Sequence, residues 1–422
     1  MGVHLVGKGE KMSDFNTLDD FDFKNKSVLF RADINCPLNK DTLEIEDANR
    51  VHQVMPTLKE LLSKGAKVAI LSHQGRPGDW DFASLNCHTK MIERILGQKV
   101  RYIDDICGPV AIEAIRSLSP GEVIVLKNVR ELPYEIENKT AEEHAHTELV
   151  TKLAPLFDIY VNDAFGASHR SQASLIGFTA VLPSAAGRLM ERELRALKTV
   201  FENPARPTVF VLGGSKFGES VKTVERILSK RIADWVILVG VAGNAFLMAR
   251  GVKLGSPTEK LIEKEITPEA LAAAKKLLKE KGERILLPFD VALEVDGYRR
   301  DIMVGDLPQE YPIMDIGRGS MEKFARVISH AGTIFITGPA GVTEKDVFSQ
   351  GTREIMQATT YSKAFSVIGG GHTVAAAEHF GFFNKFSYVS TGGGALETFL
   401  LGKPLPVVEA LKAAKFRKIP SQ

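Results

Sequence analysis

The sequence predicts an α/β protein built from two doubly wound parallel sheets, one Rossmann-like domain in each half, joined by a hinge helix. Strand-like apolar runs alternate with helical stretches along the whole chain, which is the pattern of βαβ units. Short runs such as VFVL (209–212) and IFIT (334–337) are typical of buried parallel strands. At 422 residues, the chain has enough length for two or three domains with full cores.

The residues that follow these runs differ between the two halves. In the second half each run ends in a glycine cluster, at 209–216, 333–341, 365–373 and 388–395. In the first half the runs lead to arginine or histidine, at 28–35, 68–77, 123–130 and 159–170. Open α/β sheets bind ligands beyond the carboxyl ends of their strands, where glycine exposes backbone N–H groups to phosphate and arginine binds anions as a fork. The pattern therefore predicts a nucleotide crevice in one domain, a small-anion crevice in the other, and phosphoryl transfer between them.

An amphipathic helix is predicted at the domain boundary. Pro183 and Ser184 give a helix start, Met190 and Leu197 lie on its apolar stripe, and Pro204 follows its end. A surface helix within one domain is the alternative. The predicted organisation is an anion-binding domain at 1–185, a hinge helix at 186–203, a nucleotide domain at 204–400, and a C-terminal segment at 401–422 that packs back on the first domain.

Two further elements are predicted in the second half. Thr267 and Pro268 indicate a helix start with a threonine N-cap. The run RILLPFDVAL (284–293) then reads as one strand. The apolar run at 235–249 is shorter than the roughly 20 residues that span a bilayer and is broken by glycines, so it predicts a strand, a turn and a helix start.

Composition restricts the possible function classes. The chain is 44% hydrophobic and 25% charged, with a net charge of +2, which gives no support for nucleic-acid binding through bulk charge. Its three cysteines are widely spaced without a C-x-x-C pair, which favours a reducing compartment. No signal peptide is recognisable at the N-terminus. A cytoplasmic protein without membrane or nucleic-acid partners is predicted, either a monomer or a homodimer.

Ordered motifs along nearly the whole chain resemble those of the phosphoglycerate kinases. The segments that carry the resemblance are FRADINCPL, ANRVHQVMPTL, SHQGRP, LKNVR, VNDAFGASHRSQASLIGF, VLGGSKF, TGPAGVTE, FSVIGGGHTVAA and VSTGGGALETFLLGKPLPVVEAL. HQGRP and GGGHT look most like the archaeal branch. The resemblance implies reversible phosphoryl transfer between 1,3-bisphosphoglycerate and ADP, which gives 3-phosphoglycerate and ATP in glycolysis and gluconeogenesis with Mg²⁺ as cofactor.

The resemblance also implies roles for individual residues. The implied triose-binding set is Asp33, Ile34, Asn35, Arg50, His73, Gln74, Gly75, Arg76, Arg130 and Arg170. Four of its basic members match the family's patch for the phosphate that is not transferred: His73, Arg76, Arg130 and Arg170. The implied nucleotide-binding set is Gly213, Lys216, Glu344, Gly370, Gly371, His372, Thr373, Gly392 and Gly394, with Glu344 at the ribose. The implied catalytic residues are Arg50, Lys216 and Gly393.

The sequence departs from the family pattern at three positions. Ser220 replaces a second lysine, for which Lys222 is a candidate substitute. Thr337 replaces the asparagine before GP, and His372 replaces the aspartate that ligates the nucleotide-bound Mg²⁺. Because histidine is a poor ligand for Mg²⁺, no protein metal ligand is predicted, and the ion is expected to rest mainly on phosphate oxygens and water.

Three polar residues beside the motifs have other predicted roles. Arg31 is predicted to form a structural ion pair, and Asp163 to brace the arginine cluster. For His169, orientation of a neighbour and direct substrate contact both stay open.

The mechanism needs no general base, because the acceptor is a substrate carboxylate that is already ionised at neutral pH. Two rival functions are weaker. A non-catalytic nucleotide- or sugar-phosphate-binding module would not need Arg50 and Lys216, and both are present. A dinucleotide dehydrogenase would need G-x-G-x-x-G after its first strand, and VLFRADIN has no glycine.

Overall fold

The computed structural model describes residues 14–214 and 216–417. Those residues form two compact units. Unit 1 contains the described chain up to Glu193 together with the part that begins at Pro404, and unit 2 runs from Leu194 to Lys403. The division falls within a single helix, Arg188–Phe201.

Unit 1 is built on a six-stranded sheet in which every strand pair is parallel. Its strands are β1 (Ser27–Arg31), β2 (Lys67–Leu71), β3 (Arg101–Ile103), β4 (Val123–Leu126), β5 (Ile159–Asn162) and β6 (Ser184–Ala186), in the order β3-β4-β2-β1-β5-β6. The first helices are α1 (Asn49–Ser63), α2 (Asn86–Leu96), α3 (Pro109–Arg116), α4 (Ala141–His144), α5 (Glu148–Leu153), α6 (Ala173–Ile176) and α7 (Arg188–Phe201).

Both faces of this sheet are covered by apolar cores. Side chains alternate along a strand, so Val28 and Phe30 of β1 enter one buried cluster while Leu29 enters the other. Strand β1 lies between β2 and β5, which makes it the point where the strand order reverses. The loops that leave β1, β2 and β5 therefore flank the crevice in which such sheets bind their ligands.

Unit 2 contains a second parallel sheet and a smaller antiparallel one. Its strands are β7 (Thr208–Leu212), β8 (Trp235–Leu238), β9 (Ile285–Leu286), β10 (Asp290–Val295), β11 (Tyr298–Met303), β12 (Ile313–Ile316), β13 (Thr333–Thr337), β14 (Phe365–Gly369) and β15 (Tyr388–Val389). The parallel sheet has the order β15-β14-β13-β7-β8-β9, and β10 pairs with β11 and β12 in the antiparallel sheet. The helices are α8 (Phe217–Ser229), α9 (Gly240–Ala249), α10 (Ser256–Ile262), α11 (Pro268–Lys281), α12 (Arg318–Ser329), α13 (Gln350–Tyr361), α14 (Gly371–His379) and α15 (Gly394–Leu400).

Two local predictions in unit 2 have opposite outcomes. The threonine cap is confirmed, because Thr267 Oγ1 accepts a hydrogen bond from the Ala270 amide at 3.2 Å. The single strand over 284–293 is wrong, because the run divides at Pro288 into β9 and β10, which belong to different sheets. Proline has no N–H to donate to a ladder, so a strand ends there.

The last helix, α16 (Pro406–Phe416), belongs to unit 1. The Val407 amide donates to the Ser168 carbonyl at 3.2 Å. Just beyond the helix, Arg417 donates to the Thr179 carbonyl at 3.0 Å and pairs with Glu142 at 2.5 Å. Of the helices in the described ranges, none is long and apolar enough to cross a bilayer.

Candidate active site

Asp33 and Arg50 form a close ion pair beyond the end of β1. Arg50 lies in the first turn of α1, and its Nη1 donates to Asp33 Oδ2 at 2.6 Å. Burial by itself would raise the pKa of Asp33, but the charge of Arg50, together with the Asn35 amide, lowers it well below its usual value. Asp33 is therefore an ionised acceptor at neutral pH, buried apart from 5% of its surface.

His73, which follows β2, is buried and held in one tautomer. Arg31 Nη2 lies 3.1 Å from His73 Nδ1, and because a guanidinium only donates, Nδ1 is the acceptor and the ring proton is on Nε2. Burial and the Arg31 charge lower the pKa of His73 well below 6.5. His73 is thus a neutral hydrogen-bond donor. Arg31 Nε also donates to Ser174 Oγ at 2.9 Å. The predicted ion pair of Arg31 is wrong, since within the described ranges this side chain makes hydrogen bonds and no ion pair.

Three further arginines lie beyond β2, β4 and β5. Arg130 is buried, and one of its guanidinium nitrogens donates to the Gly75 carbonyl. Burial, with the charges of Arg170 and Arg31, lowers the pKa of Arg130 to about 10. Burial also lowers the pKa of Arg170. Arg76 is exposed. Cations that lower one another's pKa mark a region of positive potential, which suits a phosphate dianion.

The loops after β1 and β2 are fastened to each other. The Gly75 amide donates to Asn35 Oδ1 at 3.0 Å. Gly75 has φ +63°, and a Cβ there would lie 2.4 Å from the Asp81 carbonyl oxygen, so only glycine fits. The Gln74 side chain is buried and bonds both the amide and the carbonyl of Cys36 at 3.0 Å. Ile34 lies in the core. The side chains of Gln74 and Ile34 therefore shape the loops, and only their backbone is available to a ligand.

In unit 2 the glycine turns beyond β7, β13 and β14 are joined by hydrogen bonds, through the backbone between β7 and β13 and through a threonine hydroxyl beyond β14. The Gly213 amide donates to the Thr337 carbonyl at 2.8 Å, and the Gly338 amide donates to Thr373 Oγ1 at 2.7 Å. A Cβ at Gly213 would lie 2.3 Å from the Pro339 carbonyl oxygen. Gly370, with φ +91°, is the N-cap residue of α14 and directly follows β14. The free N–H groups in the first turn of α14 therefore lie at this edge of the sheet.

Lys216 stands before α8 with its ammonium group paired to acids. Its Nζ lies 2.8 Å from Glu397 Oε2 and 3.7 Å from Glu219 Oε2. The hydrogen bond to Glu397 raises the pKa of Lys216. The side chain of Lys216 is 55% exposed, so it is free to turn toward a ligand. Ser220 Oγ donates to the Lys216 carbonyl at 3.1 Å, and Lys222 is exposed.

The remaining predicted nucleotide residues are largely exposed. Glu344, Gly371 and His372 lie at the surface. Gly393 has φ +44° and precedes Gly394, the first residue of α15. The Gly392 amide donates to Ser390 Oγ at 3.1 Å. Across the described ranges, no group of three or more His, Cys, Asp and Glu side chains is arranged to hold a metal ion.

Asp163 has a different role from the one predicted. Its Oδ2 accepts from Thr57 Oγ1 at 2.6 Å, and its Oδ1 accepts from the Met190 amide at 2.8 Å. Asp163 thus caps the first turn of α7, and the prediction that it braces the arginine cluster is wrong. The free N–H groups at a helix N-terminus donate to a carboxylate, which also interacts favourably with the positive end of the helix dipole. His169 Nε2 lies 3.3 Å from Arg170 Nε, which is an orienting contact.

A family model described as phosphoglycerate kinase matches residues 18–403. The chain belongs to the phosphoglycerate kinase family. The phosphoglycerate kinase of Methanopyrus kandleri is 45% identical over 96% of this chain and 98% of its own length. That of Methanothermus fervidus is 44% identical over 96% of this chain and 99% of its own. The crystal structure of phosphoglycerate kinase from Pyrococcus horikoshii OT3 has 38% identity and a TM-score of 0.88, and covers 94% of this chain and 99% of that chain.

The predicted family, the two parallel-sheet α/β domains and the kinase activity are confirmed by these similarities. The non-catalytic binding module is not favoured, since the curated relatives that match over nearly their whole length are kinases. Two contacts at the sites escaped the sequence analysis: the bond from Arg31 to His73 and the pair between Lys216 and Glu397. Their partners are 42 and 181 residues apart, and no local pattern signals such pairs.

Proposed function

We propose that unit 1 binds the triose and unit 2 binds the nucleotide in the reversible reaction of 1,3-bisphosphoglycerate with ADP, which gives 3-phosphoglycerate and ATP. The observation that carries this proposal is the chemical contrast between the two crevices. Unit 1 gathers a buried arginine, half-buried arginines and a neutral buried histidine beyond its strands, whereas unit 2 gathers backbone N–H groups in glycine turns. A small polyanion suits the first arrangement, and a chain of nucleotide phosphates suits the second.

In unit 1 the phosphate that is not transferred would be held by His73, Arg76, Arg130 and Arg170. His73 would donate through Nε2, since Arg31 occupies Nδ1. The backbone of Gln74 and Gly75 would complete this pocket. Asp33 and Asn35, with the backbone of Ile34, would hold the glycerate hydroxyl and carboxyl end. Arg50, fixed by Asp33, would then stand at the acyl-phosphate end.

In unit 2 the phosphates would lie against the turns that contain Gly213, Gly370 to Thr373 and Gly392 to Gly394. Glu344 would accept from the ribose hydroxyls, a role that suits an exposed carboxylate. The resemblance to archaeal members supports these assignments, as do the hydrogen bonds between neighbouring turns.

Phosphoryl transfer requires in-line positioning and compensation of the charge on the equatorial oxygens. The acceptor carboxylate is already ionised, so no residue has to remove a proton. Arg50 and Lys216 would supply positive charge, and the amides of Gly393 and Gly394 would supply dipoles. Lys216 would exchange its bond with Glu397 for the transferring group.

Magnesium would arrive as part of the Mg-nucleotide substrate and neutralise phosphate charge. The position of the family's aspartate is occupied by His372, an exposed imidazole, which fits Mg²⁺ poorly. The ion would therefore rest on phosphate oxygens and water. Ser220 and Lys222 remain outside the assigned roles; both lie in α8, whose N-cap residue is Lys216.

Two wider parts of the proposal concern location and motion. Cys36, Cys87 and Cys107 are free thiols, which supports a reducing, cytoplasmic setting. Helix α7, within which the two units meet in sequence, is the proposed hinge, and closure would protect the acyl phosphate from water. The oligomeric state stays a prediction of monomer or homodimer.

The test is a coupled assay of ATP-dependent 3-phosphoglycerate phosphorylation, with and without Mg²⁺. We expect turnover that requires all three components. Turnover with another phosphoryl acceptor in preference to 3-phosphoglycerate would contradict the substrate assignment.

Calorimetry on single-residue variants locates the sites: Arg170→Ala should weaken 3-phosphoglycerate binding and Glu344→Ala should weaken nucleotide binding. The reverse pattern would exchange the two units.

A further inference from the structure

Glu344 lies in the loop between β13 and α13 (338–349), which is held in place by contacts on both sides of this residue. Glu344 is exposed, and within the described ranges its side chain has no hydrogen-bond or ion-pair partner. The neighbouring residues are fastened on both sides. The Val342 amide donates to the Met314 carbonyl at 2.9 Å, and Lys345 Nζ pairs with Glu294 Oε1 at 2.6 Å. The proposed ribose contact is thus the free carboxylate of an otherwise fixed loop.

Arg299 holds the far end of this loop. It lies on β11, whose other residues are largely exposed, yet only 9% of its own side chain is exposed. Its Nη1 donates to the Val347 carbonyl at 3.1 Å and to Asp315 Oδ2 at 2.8 Å. Its Nη2 donates to the Ile316 carbonyl at 2.7 Å. The planar fork of one guanidinium therefore joins the β10–β11 hairpin, the end of β12 and the loop.

Asp315 closes the same arrangement from inside. Its side chain is fully buried, and its Oδ2 also accepts from the Gly351 amide at 2.8 Å. A Cβ at Gly341 would lie 2.5 Å from Asp315 Oδ1, and a Cβ at Gly351 would lie 2.3 Å from it. Both ends of the loop thus approach one carboxylate so closely that only glycine fits. A buried ion pair of this kind is better evidence for a defined conformation than for net stability.

We propose that Arg299, through Asp315 and the Val347 carbonyl, is a positioning residue for nucleotide binding that fixes Glu344 before the ribose arrives. This inference rests on the proposed ribose role of Glu344. A loop that is ordered in advance loses less conformational entropy when the ligand binds, and the difference appears as affinity. In this proposal the small antiparallel sheet supports the loop 338–349 that carries Glu344.

The decisive variant is Arg299→Ala, with Arg300→Ala as its matched control. Arg300 is the next residue on the same strand and is exposed. For Arg299→Ala we expect the KM for ATP to rise about tenfold, with kcat and the KM for 3-phosphoglycerate within about twofold of wild type. Arg300→Ala should leave all three unchanged. Arg299→Lys keeps the charge without the fork and should fall between Arg299→Ala and wild type.

The alternatives give different results. An unchanged KM for ATP in Arg299→Ala would overturn the inference. So would a fall in kcat at constant KM, or an equal rise of both KM values, because these indicate general damage. If Arg299→Ala does not fold, Arg299→Lys decides, because it keeps a positive charge opposite Asp315 without the fork and should still raise the KM for ATP about fivefold. Glu344→Ala tests the underlying assignment separately, because an unchanged KM for ATP there would refute the ribose role itself.

Discussion

The two proposed binding regions are built on the same kind of sheet edge but by opposite means. In unit 1 two of the predicted site side chains, Asp33 and His73, are buried and already paired, Asp33 with Arg50 and His73 with Arg31. In unit 2 the predicted site side chains Lys216, Glu344 and His372 are exposed, and buried turns such as the one at Gly213 admit only glycine. Unit 1 would thus recognise its ligand mainly through charged side chains, and unit 2 mainly through the conformation of its main chain.

The difference follows from the ligands that the two units are proposed to bind. A three-carbon phosphate offers little surface, so selectivity has to come from a few charges at fixed positions. A nucleotide offers several phosphates in a row, which backbone dipoles can follow without buried charge. Substitutions of the buried site residues of unit 1 should therefore disturb binding, stability and titration together, whereas those of exposed site residues should change function alone.

The largest expected effect is the loss of turnover in two variants, Arg50→Ala in unit 1 and Lys216→Ala in unit 2, which together test this contrast. Each should lower kcat by about 10²–10³, since each removes a group that acts mainly on the transition state. Only Arg50→Ala should also lower the melting temperature, because it leaves the buried Asp33 carboxylate unpaired. Steady-state kinetics and thermal unfolding measure both, with Arg94→Ala on α2 as an exposed control. A normal kcat with only a raised KM in Arg50→Ala would remove Arg50 from the catalytic set.

The next effect concerns the pH dependence of stability and tests the buried histidines of unit 1. His88 is fully buried, with Nε2 3.0 Å from Gln74 Oε1, and burial lowers its pKa to about 4. Between pH 6.5 and pH 4 the unfolded chain binds a proton at His88 that the folded protein does not. The free energy of unfolding should therefore fall by about 3 kcal/mol as the pH drops through that window.

Denaturant unfolding of wild type and His88→Gln across this window measures the effect. The variant keeps a donor for Gln74 but cannot titrate, so its loss of stability on acidification should be smaller. His52→Gln, at an exposed histidine of α1, is the control and should match wild type. Parallel curves for wild type and His88→Gln would show that His88 does not contribute.

A smaller effect is expected from Arg76→Ala, since Arg76 is the exposed member of the arginine set in unit 1. The loss of a charge-assisted hydrogen bond to phosphate costs roughly 1.5–3 kcal/mol, which should weaken 3-phosphoglycerate binding 10- to 150-fold. Stability and nucleotide affinity should not change. Calorimetry with both ligands, with Arg116→Ala on α3 as control, provides the measurement. Weaker ATP binding with unaltered 3-phosphoglycerate binding would reverse the assignment of the units.

The smallest expected effect is that of His372→Ala in unit 2. An exposed imidazole that does not ligate Mg²⁺ should be dispensable, so kcat should stay within about twofold of wild type at saturating Mg²⁺. His372→Asp restores a carboxylate and should tighten the Mg²⁺ requirement. Mg²⁺ titrations of the three proteins distinguish the roles. A large loss of turnover in His372→Ala would place this side chain in the phosphate clamp.

Sequence reasoning succeeded at several positions where a signal is local, but the helix start predicted at Pro183 and Ser184 is wrong, because Ser184–Ala186 forms β6 and the helix begins at Arg188. The runs before Asp33, His73 and Gly213 predict parallel strands by their composition alone, and all three strands exist. The cap at Thr267 was found for the same reason. Pro288 carried an equally local signal, but an apolar run on both sides of it favoured one continuous strand, and the small antiparallel sheet was missed.

The remaining contacts could not be predicted because they join distant parts of the chain. Asp163 contacts Thr57, which is 106 residues away in the chain, and caps a helix that begins 25 residues after it. The sequence around Asp163 does not show which helix it caps. Arg299 is one of two adjacent arginines on an exposed strand, and only the folded chain shows that it alone turns inward. Side-chain orientation on a short edge strand depends on its register with β10, which is a tertiary property.

Unit 1 is discontinuous in the chain, and this has a consequence for its synthesis. Its last helix, α16, follows the whole of unit 2, so a ribosome completes unit 2 before it releases the residues that finish unit 1. Until Arg417 emerges, its acceptors at Thr179 and Glu142 lack their partner. The N-terminal half of the nascent polypeptide should therefore stay sensitive to protease until translation is nearly finished, while the later-made half becomes resistant first.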